Sequence, residues 1–431
     1  MSAEEPMDGT MGSIKSWYIE KYASNKTLTV FVTGLVAVFL LNVIVSLFTE
    51  GSAFAYMVHP RQEYVFMDHF GSVIFSSDHP YTQYEVVYPP LITLIYAVIG
   101  HFTIPYMDGY EIGWDMACAM RSTSMPMMVF MTLIMALIIS FYIIYQKYTE
   151  DNFTRQEFNI LFICLLFSYP VLFGISTGNC IFLALLCTIL YIYCYDSDDK
   201  RIRILSYVFL GVAAGVKIIP AIFGILTLKR RGWLEFFECV IIVTAMLLVP
   251  FVFTDGDPIT FIKHTLEYGS YVPSTFGILN ISDLTNALGI SGSVSVIIKI
   301  LFLGVVLCCI LLDDKMERWE EATILGSVVM LTFSISVPYT LSYMMIGLIM
   351  LLTLRKELTR GMMLVILCFI VIFADIPAFT ELPTYIGTMK GLFLAILTIY
   401  LLAVSIMRLV KSSPEEKKPV SIRPKRKSAR S

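Results

Sequence analysis

Charged side chains are scarce in this sequence. Asp, Glu, Lys and Arg make up 15% of its 431 residues, where soluble domains carry roughly 25%. The deficit runs the length of the chain, 57% of the residues are hydrophobic, and the mean hydropathy is +0.75. Together these exclude an ordinary soluble domain. Cysteine is present but unpatterned: nine occur, Cys308 and Cys309 are neighbours, and no pair has CxxC spacing. All but Cys118 lie in apolar segments, where a thiol packs as a small hydrophobe. Neither a disulfide framework nor a metal cluster is expected, and no cofactor. Also missing are the phosphate-binding patterns GxxxxGKS/T and GxGxxG and the zinc pattern HExxH. No motif is left for ATP or a nucleotide-sugar, so a group-transfer enzyme of this kind needs a donor that arrives within the membrane.

What the chain does have is long apolar runs. They fall at roughly 28–48, 89–106, 124–146, 157–174, 178–195, 204–228, 234–253, 292–312, 321–336, 337–353, 361–376 and 389–409. A span needs about 20 apolar residues and must satisfy its own backbone, so the spans are helices. The expected fold is all-α, a polytopic helical membrane protein with about 10–12 membrane segments. The first run follows Lys15, Lys21 and Lys26 and is too long for a signal-peptide core. Residues 1–26 read as a cytoplasmic tail, and residues 410–431 as a second, basic one with affinity for anionic headgroups.

Lys and Arg near span ends set the orientation. The tail from Arg408, the stretch from Arg355 to Arg360, the segment from Asp313 to Trp319 and the cluster Lys229-Arg230-Arg231 all read as cytoplasmic. That places two long polar loops, 49–88 and 254–290, on the outer face of the cell membrane. If every run crossed fully, Lys200, Arg201 and Arg203 would also lie outside. Re-entrant segments at 89–106 and 204–228 return them to the inside, and Pro220 favours that arrangement, since broken backbone at membrane depth needs protein or water around it.

The stretch Tyr64–Leu91 concentrates polar and aromatic residues in an apolar protein. Asp68, flanked by aromatics, is a candidate general base, because partial desolvation raises a carboxyl pKa; by composition alone it reads first as a helix cap. Asp78 is a second candidate base. Tyr88-Pro89-Pro90 reads as the start of a helix. Lys217, in GVAAGVKIIPAIFGIL, is a charge at membrane depth that needs an anionic partner, a lipid phosphate or a carboxylate from another segment. Lys299 lies nearer the start of its run and can snorkel. Ser176-Thr177-Gly178-Asn179 is a turn between apolar runs. The second loop contributes Asp255, Asp257, His264, Tyr268 and Asn280, a composition suited to a sugar-lined surface or to an interfacial aromatic belt.

Met67-Asp68-His69-Phe70, Tyr88-Pro89-Pro90-Leu91, Gly178-Asn179, the run Gly211-Val212-Ala213-Ala214-Gly215-Val216-Lys217-Ile218-Ile219-Pro220 and Lys229-Arg230-Arg231, in that order, resemble glycosyltransferase family 87 of the GT-C superfamily. The resemblance covers roughly residues 28–233. It departs at Thr177-Gly178-Asn179-Cys180, where the family often has Gly-Gln-x-Asn. It implies a GT-C-like catalytic domain over 27–409 with long outer loops. The implied reaction moves a hexose, most often mannose, from a polyprenyl-phosphate donor to an outer-face acceptor, lipid-linked or glycan, with inversion. Asp68 matches the family's general base. On this reading Lys217, Arg61 and His264 are the cations for the donor phosphate, and His69, Tyr88, Asn179 and Asn280 line the substrate.

Other classes fit part of the pattern. A polytopic transporter or a flippase for lipid-linked oligosaccharides would also have broken spans and an intramembrane Lys. Against that, the sequence shows no internal repeat, and its polar content sits in the loops. A glycan polymerase or ligase using a diphosphate donor would be rich in loop arginine, and Arg61 is the only arginine in the two long loops.

Overall fold

The computed structural model of the chain describes residues 25–58, 64–271, 277–332, 337–379 and 384–411. It is 79% helix, with no strand among the described residues, as backbone in lipid requires. Asn25 starts the first helix: its side-chain oxygen accepts from Leu28 N at 3.0 Å, and its amide donates to Leu352 O at 3.1 Å. Helix α1 (Lys26–Phe48) is followed by α2 (Ser52–Val58), α3 (Met67–Ser76), α4 (Pro90–Thr103), α5 (Trp114–Met120) and the long α6 (Ser124–Thr149). Next, α7 (Arg155–Leu166) and α8 (Tyr169–Thr177) form one element bent by 55°, at the break that Pro170 enforces. The chain continues through α9 (Ile181–Cys194), α10 (Lys200–Val216), α11 (Ile225–Arg231), α12 (Trp233–Leu248), α13 (Pro258–Tyr271) and α14 (Ile281–Ala287). It ends with α15 (Gly292–Leu312), α16 (Arg318–Thr332), α17 (Met344–Leu354), α18 (Arg360–Phe373) and α19 (Thr384–Lys411).

Among the described residues, five helices are long and apolar enough to cross a bilayer: α1, α6, α12 with its 3-10 extension to Phe253, α15 and α19; the bent α7–α8 pair makes a sixth. Other expected segments are shorter helices, such as α9 and α18 at 14 residues each. At 1.5 Å per residue these are about 21 Å long, less than the hydrocarbon core. The reason is their position. Most of α9, α16 and α17 is buried in protein, so lipid thickness does not set their length. The long helices form the periphery and leave apolar side chains uncovered, among them Leu47, Phe48, Leu234 and Ile241. A soluble monomer does not expose so much apolar surface; the protein is a polytopic helical membrane protein.

The apolar run 204–228 is not one helix. Helix α10 stops at Val216; Lys217 is extended (φ −143°, ψ 124°), a 3-10 helix covers Ile219–Gly224, and α11 returns. Both ends of this hairpin meet at the same place. Arg203, in the first turns of α10, donates to Ser197 O, and Arg231, closing α11, pairs with Asp196 Oδ1 at 3.0 Å. Arg203 also holds Glu235 of α12 through two bonds, 2.8 and 2.9 Å, joined by the Tyr207 hydroxyl. A second hairpin has the same form: α16, a 3-10 helix at Pro338–Tyr343, then α17, with Arg355 beyond α17 paired to Glu317 before α16.

All these bases share one charged end. Asp196 also takes Arg318 at 2.6 Å. Glu320 binds Arg408 of α19 through both carboxylate oxygens at 2.7 Å. Glu321, 1% exposed, receives Lys229 at 2.7 Å and Arg230 at 2.8 Å, while Lys229 also donates to Asp313 O. At the opposite end the two long loops meet, Asp255 accepting from Tyr81 and Thr82. Helix α4 belongs there too: its first turn packs on Gly215 at the tip of the α10 hairpin, and its Gly100 packs on Val73 of α3 and on Ser77, which caps α3.

A further buried charge lies near that end. Lys390 of α19 is fully buried and donates to the carbonyls of Val371, Ile372 and Ala374, capping α18 beside Asp375.

Glu321→Ala leaves two cations facing one another at a buried site. It is expected to lower stability by about 3–5 kcal/mol, read as a fall in the thermal midpoint of the purified protein in detergent. An unchanged midpoint would mean that water already screens the pair.

Candidate active site

The tip of the α10 hairpin is about 25 Å from its charged end, from the length of a 17-residue helix at 1.5 Å per residue. There Lys217 meets residues from three distant parts of the chain. Helix α3 begins at Phe66, a non-glycine residue in the left-handed region (φ 63°), a conformation that carries strain and tends to mark functional sites. Its amide donates to Ser176 O at 2.7 Å, which ties the start of α3 to the end of α8. Gly178 ends α8 at φ 74°. A Cβ there would sit 2.9 Å from the Cβ of His69, so the turn needs glycine for both its backbone and its closeness to α3.

This packing puts Asp68 in the first turn of α3 against Asn179. The Asn179 amide donates to Asp68 Oδ2 at 2.7 Å and to the Tyr88 hydroxyl at 3.4 Å, while its own oxygen accepts from Ile181 N at 2.9 Å and holds the start of α9. Asp68 Oδ1 is left without a hydrogen-bond partner among the described residues. The Lys217 ammonium lies 4.4 Å from the centre of the Tyr88 ring and 5.6 Å from that of Tyr339, in cation–π contact. No carboxylate pairs with it directly among the described residues. Asp68, Tyr88 and Lys217 each keep part of their surface accessible, whereas Asn179 is buried. The result is a cluster in which the Asn179 amide and the Tyr88 ring link the Asp68 carboxylate to the Lys217 ammonium.

Burial pushes the Asp68 carboxyl above the ordinary carboxylate range, against the opposing pull of the Asn179 hydrogen bond and the Lys217 charge. Burial pushes His69 down to about 4, so its imidazole is neutral among Phe70, Tyr96 and Phe130, with ring centres 4.7–5.6 Å away. Tyr88 is held well above the usual phenol range, first by burial and then by Asp68, and serves as a neutral hydrogen-bonding group.

The structure thus gathers Asp68, His69, Tyr88, Asn179 and Lys217. The other candidates lie elsewhere. Asp78 is exposed beside His79, 3.5 Å away. His264 is half-buried on α13, with its Nδ1 unpartnered among the described residues. Asn280 caps α14, its side-chain oxygen accepting from Asp283 N at 2.9 Å. Arg61 lies outside the described residues. Tyr88-Pro89-Pro90 does start a helix, with Pro90 at the first position of α4, and it also presents the Tyr88 ring to Lys217. Three residues around the site were not singled out from the sequence: Tyr96, whose ring centre lies 6.4 Å from that of Tyr88, Cys180, and Tyr339 at the tip of the second hairpin. Only Cys180 had a signal, its place next to Asn179. Tyr339 arrives from the opposite half of the chain, and no local pattern marks it.

Gly178→Ala combines left-handed strain with the overlap on His69. It is expected to cost about 1–3 kcal/mol, more than Gly289→Ala, which has positive φ but open space around it. Thermal unfolding of both variants tests this; equal losses would mean that α3 yields freely to the added methyl.

Comparison with known families gives a match to glycosyltransferase family 87 over residues 87–335, more than half of the chain. The matched region holds Tyr88, Asn179 and Lys217; Asp68 precedes it and Tyr339 follows it. The match reaches farther towards the C-terminus than the motifs do and begins later. No curated protein and no solved structure matches the chain. The protein belongs to glycosyltransferase family 87 and is an integral-membrane glycosyltransferase.

Proposed function

We propose that the enzyme transfers a hexose, mannose as the first choice, from a polyprenyl-phosphate donor to a lipid-linked or glycan acceptor, with inversion and with Asp68 as general base. The observation that carries this reading is the convergence of the Asp68 carboxylate and the Lys217 ammonium on Asn179 and Tyr88. Asp68 Oδ1 takes the proton of an acceptor hydroxyl as that oxygen attacks the anomeric carbon. The bond from that carbon to the donor phosphate oxygen breaks on the opposite face, and the lipid phosphate leaves with the electron pair. Lys217 neutralises the charge that develops there, the kind of fixed electrostatic help that acts most strongly where water is excluded.

Desolvation makes Asp68 a stronger base than a free carboxylate. The Asn179 bond and the Lys217 charge oppose that rise and favour the ionised form that the reaction needs. The absence of nucleotide-binding motifs in the sequence favours a lipid-borne donor. We assign the charged end to the cytoplasm, since Arg203, Lys229, Arg230, Arg231, Arg318, Arg355 and Arg408 gather there and basic residues favour that side. Transfer then occurs at the outer face of the cell membrane, within a catalytic domain over 27–409.

Purified enzyme supplied with polyprenyl-phosphate-mannose and a lipid extract of the source membrane is expected to form a new glycosidic bond. Asp68→Asn is expected to abolish transfer while the thermal midpoint holds; full activity in this variant overturns its role as base. Lys217→Met is expected to raise the donor KM more than the acceptor KM, and an unchanged donor KM removes the phosphate role.

The pH profile gives a separate check. Transfer needs ionised Asp68, so activity falls as pH drops through its pKa, at a pH above the ordinary carboxylate range. Asn179→Ala removes a bond that lowers this pKa. The acid limb of the profile is expected to move to higher pH, and a shift the other way would contradict the assignment.

A further inference from the structure

Asp255 lies outside the Asp68–Lys217 cluster and stands out in the sequence only as one polar residue of the second long loop. Its carboxylate is fully engaged. Oδ1 accepts from Tyr81 N at 3.1 Å, Oδ2 accepts from Thr82 N at 3.0 Å and from the Thr82 hydroxyl, and His79 Nδ1 stands 3.7 Å away. One side chain of the loop after α12 thus binds two successive backbone amides of the loop before α4. The contact is close: a Cβ on Gly256 would lie 2.5 Å from the Tyr81 Cβ.

Tyr81 carries the contact inward. It is fully buried, and its ring packs on Phe251 and Phe261 at 5.7 and 6.1 Å. Its hydroxyl donates to the Tyr88 carbonyl at 2.7 Å and lies 3.2 Å from Thr93 Oγ1 in the first turn of α4. Tyr88 is the residue on which Asn179 and Lys217 converge. A continuous path therefore runs from the Asp255 carboxylate through the 81–82 backbone and the Tyr81 phenol to the Tyr88 backbone.

We propose that Asp255 is a positioning residue for glycosyl transfer, fixing Tyr88 in the active site through Tyr81. Asp255 touches none of the reacting groups. By holding Tyr88 it sets the ring beneath Lys217 and the hydroxyl beside Asn179, and so the alignment of ammonium and carboxylate. Alignment of this kind is sensitive, since small displacements of reacting groups lower rates strongly. The second long loop thereby reports its position to the first, and an acceptor that moved it would move Tyr88. The inference rests on the assignment of Asp68 and Lys217 to the reaction.

The test uses the full-length enzyme in detergent with polyprenyl-phosphate-mannose and membrane lipid extract. Tyr81→Phe keeps the packing and the Asp255 contact and removes only the phenol's bonds. Tyr81→Phe and Asp255→Ala are each expected to lower kcat about tenfold, with the donor KM within about twofold. The double variant is expected to fall no further than Asp255→Ala, as residues on one path do. Multiplying losses, or a lowered thermal midpoint with kcat intact, overturns the proposal.

A second measurement needs no substrate. 3-Fluorotyrosine placed at position 88 is expected to show its fluorine resonance shifted by Asp255→Ala and by Tyr81→Phe in the same direction; an unmoved resonance overturns the proposal. Asp68→Asn, assayed in parallel, tells the two readings apart. Activity retained there sinks the base, whereas an unmoved Tyr88 resonance sinks the positioning role alone.

Discussion

A helix that stops within a bilayer leaves its last carbonyls without partners, and lipid cannot supply them. The break at Lys217 sets this constraint, and much of the fold answers it. Close neighbours cover the tip: a Cβ on Gly211 would lie within 3 Å of Met246 of α12, and one on Gly215 within 3 Å of Leu91 of α4. The return path is satisfied as well, with the buried Tyr191 hydroxyl of α9 donating to Phe223 O at 3.1 Å and sharing a 2.8 Å bond with Thr227. An ammonium placed at such a break is held by aromatic faces rather than by a counter-charge, which leaves it open to an anionic ligand.

The two ends of the molecule divide the work. At the charged end, buried and bidentate pairs close both hairpins and lock α12 and α19 to them. At the other end the residues of the site come from α3, the turn before α4, the turn before α9, the α10 tip and the second hairpin, and few of them pair as ions. A site of this kind depends on rigid elements converging, because each contributes a single group. The proposed transfer from a lipid-borne donor suits that division, since it calls for one base and one cation, aligned and shielded from bulk water.

The architecture was legible where physics leaves a local mark. Apolar run length gave the helical membrane fold, and Pro220 with the basic flanks of 204–228 pointed to a segment that returns. The proline pair before α4 announced its start. Pairing across the chain was not legible. Asp68 and Asn179 are 111 residues apart, and their contact depends on left-handed backbone at Phe66 and Gly178; Phe66 looks like any aromatic residue in the sequence. Asn280 seemed as suited to a sugar as Asn179, since an Asn that caps a helix and one that holds a carboxylate read alike. Lys390 was hidden for a related reason: at the start of an apolar run it resembles an interfacial lysine, and only the end of α18 packed against it reveals three carbonyl partners.

The shape of the α10 hairpin also bears on how the protein is made. Its two basic stretches, Lys200–Arg203 and Lys229–Arg231, finish at the same end of the molecule, joined through Asp196 and Ser197. On the proposed orientation, biosynthesis therefore never has to drag an arginine of this segment through the bilayer. Only the apolar loop and its single lysine must be pushed in; Asp68, Tyr88 and Asn179 come earlier in the chain and have already left the ribosome, whereas Tyr339, the second aromatic partner of that lysine, follows later.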